Sequence, residues 1–275
     1  MATPAPQPAA PEPNISHYPA MEDCRGGEEV PYPAPPSGLP ASLQSLAVTV
    51  VIAIFVITFI VQAFQIPSES MENTLLIGDY LLVDKAHYSS GGTWGQILPY
   101  RGIQRGDIIV FRYPVNPQQH FVKRVIGLPG DRVRMVNRQV FVNGIPLREK
   151  YAIYRSTIHD AYRDDFPDTK VLNANVQPRW WLQMRSLVNG RDLVVPADSY
   201  FVLGDNRDES LDSRYWGFVP RENIIGRPLL IYWSLRSPGR YGTAASLSDK
   251  LFHIAYIVTH LVDETRWNRT LRVIR

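Results

Sequence analysis

Hydrophobic positions along this chain fall into three textures. Residues 1–42 are rich in Pro and Ala and show no periodicity. Pro at that density blocks both helix and sheet, so a disordered, partly polyproline tail is expected. From Leu43 to Phe64 the chain reads LQSLAVTVVIAIFVITFIVQAF, and no charged residue occurs between Glu29 and Glu69. The run matches the ~20 residues a helix needs to cross a ~30 Å hydrocarbon core and predicts a transmembrane helix over 43–64. A cleaved signal peptide fits poorly, because the run is too long, starts deep in the chain and follows no basic segment. A buried core helix is the other alternative, which apolar character all round disfavours.

Beyond residue 65 the pattern changes to short apolar runs broken by turns. They are YLLVDK (80–85), DIIVFRY (107–113), FVKRVIG (121–127), RVRMV (132–136), QVFVNG (139–144), SYFVLG (199–204) and PLLIYWSL (228–235). Asn143-Gly144 is a turn dipeptide after an alternating strand. The pattern predicts a mainly β domain over 65–243 with a barrel-like or sandwich core. Residues 145–198 are less regular and read as a smaller inserted subdomain. Leu247, Leu251, Ile254, Val258 and Leu261 share one helical face, followed by Trp267 and Arg266, Arg269, Arg272 and Arg275. This predicts a basic amphipathic helix over 244–275, either lying on lipid or docked on the core.

Composition narrows the picture. The net charge is only +3, which points to no nucleic-acid partner. The tail carries Arg25 against Glu12, Glu22, Asp23, Glu28 and Glu29, so the body holds the positive excess. A basic body suits a surface of anionic lipid headgroups. The acidic tail gives no positive-inside signal, so charge does not set the orientation of the span. A single cysteine, Cys24, excludes an intrachain disulfide. No clustered His, Cys or Asp spacing suggests a metal site, and no cofactor is implied. His87, His120 and His159 are expected to be ordinary surface or core residues.

Three segments carry candidate chemistry. The first, Ile66-Pro67-Ser68-Glu69-Ser70-Met71-Glu72-Asn73-Thr74-Leu75, places two serines just past the apolar run. The second, His120 to Asp131, sets Lys123 among Phe121, Val122, Val125 and Ile126. Alternation puts Phe121, Lys123 and Val125 on one strand face. If buried there, the lysine loses its preference for the ammonium form and becomes a general base near neutral pH. The alternative is a strand-edge lysine pointing to water. A serine hydroxyl is a poor nucleophile until such a base accepts its proton. The third segment, Gly204 to Gly217, crowds opposite charges and turn formers together, as a salt-bridged loop would.

Together these segments resemble type I signal peptidases. The Ser-x-Ser-Met box is Ser68-Glu69-Ser70-Met71, followed in the family's order by Gly106–Phe111, by Lys123-Arg124 through Gly127, Pro129, Gly130 and Asp131, and by the box at 204–217. The resemblance covers roughly residues 43–235. It implies a mostly β catalytic core with a smaller insertion, Ser70 as nucleophile and Lys123 as general base. It also implies that Ser68 assists the Ser70 N–H at the oxyanion and that Ser210 hydrogen-bonds and orients the lysine. Asp205, Asp212 and Arg214 match supporting positions. Phe64, Ile66, Pro67, Met71, Leu75, Phe121 and Val122 fall where the family builds shallow pockets for small side chains. The implied partners are signal peptides of secretory preproteins, membrane lipids and the secretion translocon. The implied location is a bacterial inner membrane, with a cytoplasmic N-terminus and the catalytic domain outside.

Two positions depart from the family's best-known members. Glu69 stands in place of Gly, adding a carboxylate expected to raise the pKa of Lys123. Asn73 stands in place of Pro and is expected to loosen the backbone after the nucleophile. Other functions compatible with the sequence are a specialised peptidase maturing pilus or conjugation proteins, and a catalytically dead tether that only holds signal peptides. Self-cleaving repressors share the serine–lysine chemistry, but they have no membrane span and do carry a helix-turn-helix, a pattern not evident here.

Overall fold

The computed structural model describes residues 39–56, 60–88, 101–170, 173–236, 259 and 261–274. Residues 1–38 of the Pro/Ala-rich tail, with Cys24, and nearly all of the apolar face predicted over 247–261 lie outside these residues. The chain falls into two compact units, Met1–Val48 and Thr49–Arg275, and the sheets described below belong to the second.

Helix α1 covers Leu39–Phe55. It starts before the predicted 43–64 and ends well short of it, because Val61–Gln65 forms strand β1 instead. An apolar run carries no local signal that separates helix from strand. Here the partner decides: β1 pairs antiparallel with β2, Asp79–Asp84, from Val61 opposite Asp84 to Gln65 opposite Tyr80. Among the described residues no helix is long and apolar enough to cross a membrane.

The main sheet has eight strands. Its path runs β1, β2, β12 (Ile224–Ser234), β3 (Ile108–Arg112), β4 (His120–Gly127), β10 (Ser199–Leu203) and β11 (Val219–Pro220), with β13 (Arg272–Val273) also paired to β12. The path is open, with β1 at one edge. Register shifts interrupt β12 three times and β10 once, and such bulges bend and twist strands into a curled sheet. The centre is buried on both faces. In β3, Ile109 and Phe111 enter the larger core, while Ile108 and Val110 enter a smaller one with Ile66, Met71, Leu75 and Leu81. All seven predicted runs contain strands.

The second sheet runs β7 (Ile145–Pro146), β6 (Gln139–Val142), β5 (Arg132–Val136), β9 (Asp192–Val194) and β8 (Val188–Asn189). This sheet includes β5 and β6, which precede residue 145. Asn143 and Gly144, at φ 53° and 80°, make the tight turn that joins β6 to β7, a conformation most side chains resist. Helices α2 (Ala161–Asp164) and α3 (Pro178–Leu187) complete this region. Val133, Met135 and Leu193 share one core with Val125, Ile126 and Phe201 of the main sheet.

The basic stretch after 261 also differs from expectation. Only Leu261–Glu264, helix α4, is helical among the described residues from 261 onward. The rest is turns and β13, docked on β12. Arg269 is drawn inward by the buried carboxylate of Asp79, to which it donates at 2.5 and 3.2 Å. Trp267 and Leu271 stay exposed.

Candidate active site

Ser70 lies in a one-turn 3-10 helix, Glu69–Met71. Met71 and Leu75 anchor that turn in the smaller core. Asn73 follows at φ 81°, a left-handed conformation that Asn tolerates and that Pro, fixed near −65°, cannot adopt. The residue is not loose, as the sequence suggested. The turn closes around it through Thr74 and Leu75 N–H groups donating to Met71 O at 3.1 and 2.8 Å.

Lys123, in β4, is 4% exposed. Its Nζ lies 2.5 Å from Ser70 Oγ, within hydrogen-bond reach, and 5.8 Å from the Phe121 ring centre. Burial lowers its pKa from 10.5 to about 8; Asp212 pulls it back up, Arg214 presses it down and Asp205 raises it slightly. Desolvation prevails because no carboxylate touches the amine. The Glu69 carboxylate faces Arg155, 4.0 Å away, and is not among the charges that set the lysine.

The 204–214 box closes the site from behind. Asp212 and Arg214 are fully buried and joined twice, at 2.8 and 2.9 Å. Burial alone would raise the Asp212 pKa, but the Arg214 charge and hydrogen bonds bring it below the ordinary value. Asp205 accepts Arg124 Nε and Nη2 at 2.8 and 2.7 Å and the Thr74 hydroxyl at 2.5 Å. Asn206 N donates to Ser70 O at 3.2 Å, tying the box to the nucleophile turn. The approach requires glycine at 204: a Cβ there would stand 2.4 Å from Ser70 O and 2.2 Å from Ser210 Oγ.

A base with a depressed pKa, within reach of a buried serine hydroxyl, is an arrangement for nucleophilic attack on a carbonyl. Residues 41–233 match the model of a family described as signal peptidase, peptidase S26. The chain belongs to this family. A signal peptidase I of Leptolyngbya laminosa is 35% identical over 222 residues, 78% of this chain and 89% of that protein. One of Aquifex aeolicus is 37% identical over 227 residues, 71% of this chain and 85% of that protein. One of Pseudomonas aeruginosa is 36% identical over 197 residues, 66% and 68%. As a member of the signal peptidase family the chain is a serine peptidase, a hydrolase.

Beside the serine–lysine pair opens a cleft of about 480 Å³. Phe64, Ile66, Pro67, Met71, Phe121 and Val122 line it, together with Ser68, Ser70 and Lys123. Leu75 does not; it is fully buried in the smaller core. Gln65, His120, Glu209 and Leu211 line the cleft without having been singled out. His120, expected to be ordinary, meets Phe64 edge-on at 5.5 Å; its place at the start of β4, opposite the β1 end, was the available signal. Ser68 Oγ is 3.4 Å from Ser70 Oγ. Ser210 departs from expectation: its hydroxyl is buried and has no hydrogen-bond partner among the described residues, Lys123 included. Among the described residues no group of His, Cys, Asp and Glu is arranged to hold a metal.

Proposed function

We propose that this chain is a membrane-anchored endopeptidase that removes N-terminal signal peptides from exported preproteins after small residues. The observation that carries the reading is the 2.5 Å separation of Lys123 Nζ from Ser70 Oγ in a site where burial lowers the lysine's pKa to about 8. The neutral amine accepts the Ser70 proton as Oγ attacks the scissile carbonyl. The Ser70 N–H and the Ser68 hydroxyl donate to the oxyanion, where preorganised donors act most strongly. Lys123 then hands its proton to the leaving amine, leaving an acyl-enzyme that water hydrolyses. Asp205, Asp212 and Arg214 keep the frame in place around the lysine. The shallow apolar cleft suits Ala-sized side chains on the signal-peptide side of the cut.

Membrane anchoring rests on α1. Leu43, Leu46, Val50, Val51, Ile52, Ile54 and Phe55 are exposed on an uncharged helix, a surface that water disfavours and lipid accepts. Its 17 residues span about 26 Å, and the sequence stays apolar beyond its end. The orientation proposed is cytoplasmic tail, catalytic unit outside a bacterial inner membrane, near the translocon that delivers its substrates.

The test is incubation with a model preprotein in detergent, followed by mass determination of the product ends. The parent yields one cut after a small residue and Ser70→Ala yields none. Cleavage by Ser70→Ala at the parental rate would remove Ser70 from the mechanism.

A further inference from the structure

Glu69 and Asn73 are the two residues that distinguish this nucleophile turn. Pro is sterically barred at 73 by the φ of 81°, and Glu69 is exposed. What the turn gains is a charge contact. Arg155, on the chain between β7 and α2, makes an ion pair with Glu72 and stands 4.0 Å from Glu69. Glu69 and Glu72 flank Ser70 and Met71.

The guanidinium is aimed from a fixed backbone. The Arg155 and Ser156 N–H groups both donate to Asp208 Oδ2, at 2.5 and 2.8 Å. One step earlier, Ile153 bridges to Asn206 through Ile153 N donating to Asp205 O at 2.8 Å and Arg207 N donating to Ile153 O at 3.0 Å. Asn206 is the residue that holds both Ser70 O and, at 3.3 Å, Glu69 O. The segment therefore reaches the nucleophile turn twice, once by backbone and once by charge.

We propose that Arg155 is a positioning residue for Ser70, bracketing the nucleophile turn through Glu72 and Glu69. The proposal rests on Ser70 being the nucleophile. Arg155 is 57% exposed and Glu72 18%, so the bracket is accessible to salt and weak in stability; its effect is on geometry, where small misplacements of a reacting group cost rate.

The experiment measures kcat and KM for preprotein cleavage in parent, Arg155→Glu, and the charge-exchanged pair Arg155→Glu with Glu72→Arg. At low salt, Arg155→Glu lowers kcat about fivefold with KM within about twofold. The loss shrinks near 1 M salt, where the Debye length is ~3 Å. The exchanged pair recovers most of the parental kcat. A merely structural role would move melting temperature and give neither the salt dependence nor the recovery. An unchanged kcat in folded Arg155→Glu overturns the bracket, as does an exchanged pair no faster than the single variant. Ser70→Ala is run alongside: its retention of activity would strike the nucleophile assignment itself, whereas its inactivity with an unaffected Arg155→Glu strikes the bracket alone.

Discussion

Lys123 and Arg124 are consecutive on β4 and equally buried, at 4% exposure each. Neighbouring strand residues face opposite ways, and here the two directions differ in chemistry. Arg124 meets both oxygens of Asp205 and the carbonyl of Gly106, and lies 3.9 Å from the centre of the Tyr151 ring. Lys123 meets a serine hydroxyl. A guanidinium keeps its proton whatever meets it, whereas an ammonium removed from water beside a neutral group loses its preference for the charged form. The strand thus carries a base and a brace side by side, the lysine set against a hydroxyl and the arginine against a carboxylate.

That contrast is broken most severely by Lys123→Arg. A guanidinium stays protonated at any working pH, so cleavage is expected to fall by about 10³-fold or more, as read in single-turnover assays of the folded variant. Next comes Arg124→Met, which strands the Asp205 charge. Losing one partner of a buried pair costs about 3–5 kcal/mol, measured as a shift in the denaturation midpoint. Parental stability in that variant would show that Asp205 finds another partner.

The pH profile sharpens the contrast further. The active form is neutral, so the rate should fall about tenfold per pH unit below an inflection near 8 and level off above it. Asp212 favours the ammonium form, so Asp212→Asn moves the inflection to lower pH, with a loss of stability because Arg214 is left unpaired. The smallest effect is expected for Glu69→Gln. Whatever it does to rate, the inflection stays in place, because that carboxylate faces Arg155. A downward shift on this substitution would restore Glu69 as a determinant of the lysine.

The strands and the serine–lysine pair were legible because each is local or ordered along the chain. Runs such as Ile108–Phe111 announce a buried strand, and four motifs in a fixed order announce a site. Side-chain direction was not legible. Leu75 and Met71 are both apolar and close to Ser70, yet one fills the core and the other also lines the cleft. The strand of Val61–Gln65 depends on pairing with residues 80–84, and the start of the second sheet depends on which strands β5 joins. Asn73 looked loose because a preference for positive φ is invisible without the turn that demands it. Whether the segment holding Arg269 met lipid or the core stayed open because its carboxylate, Asp79, lies 190 positions earlier.

That last pairing has a bearing on biogenesis. Asp79 also accepts Leu76 N–H and the Ser234 hydroxyl, and Arg269 reaches Thr74 O at 3.0 Å. The carboxylate that closes the loop beyond the serine therefore meets its guanidinium partners, Arg269 and Arg266, only once the ribosome has carried the chain through position 269. This contact is among the last that a chain under synthesis can assemble.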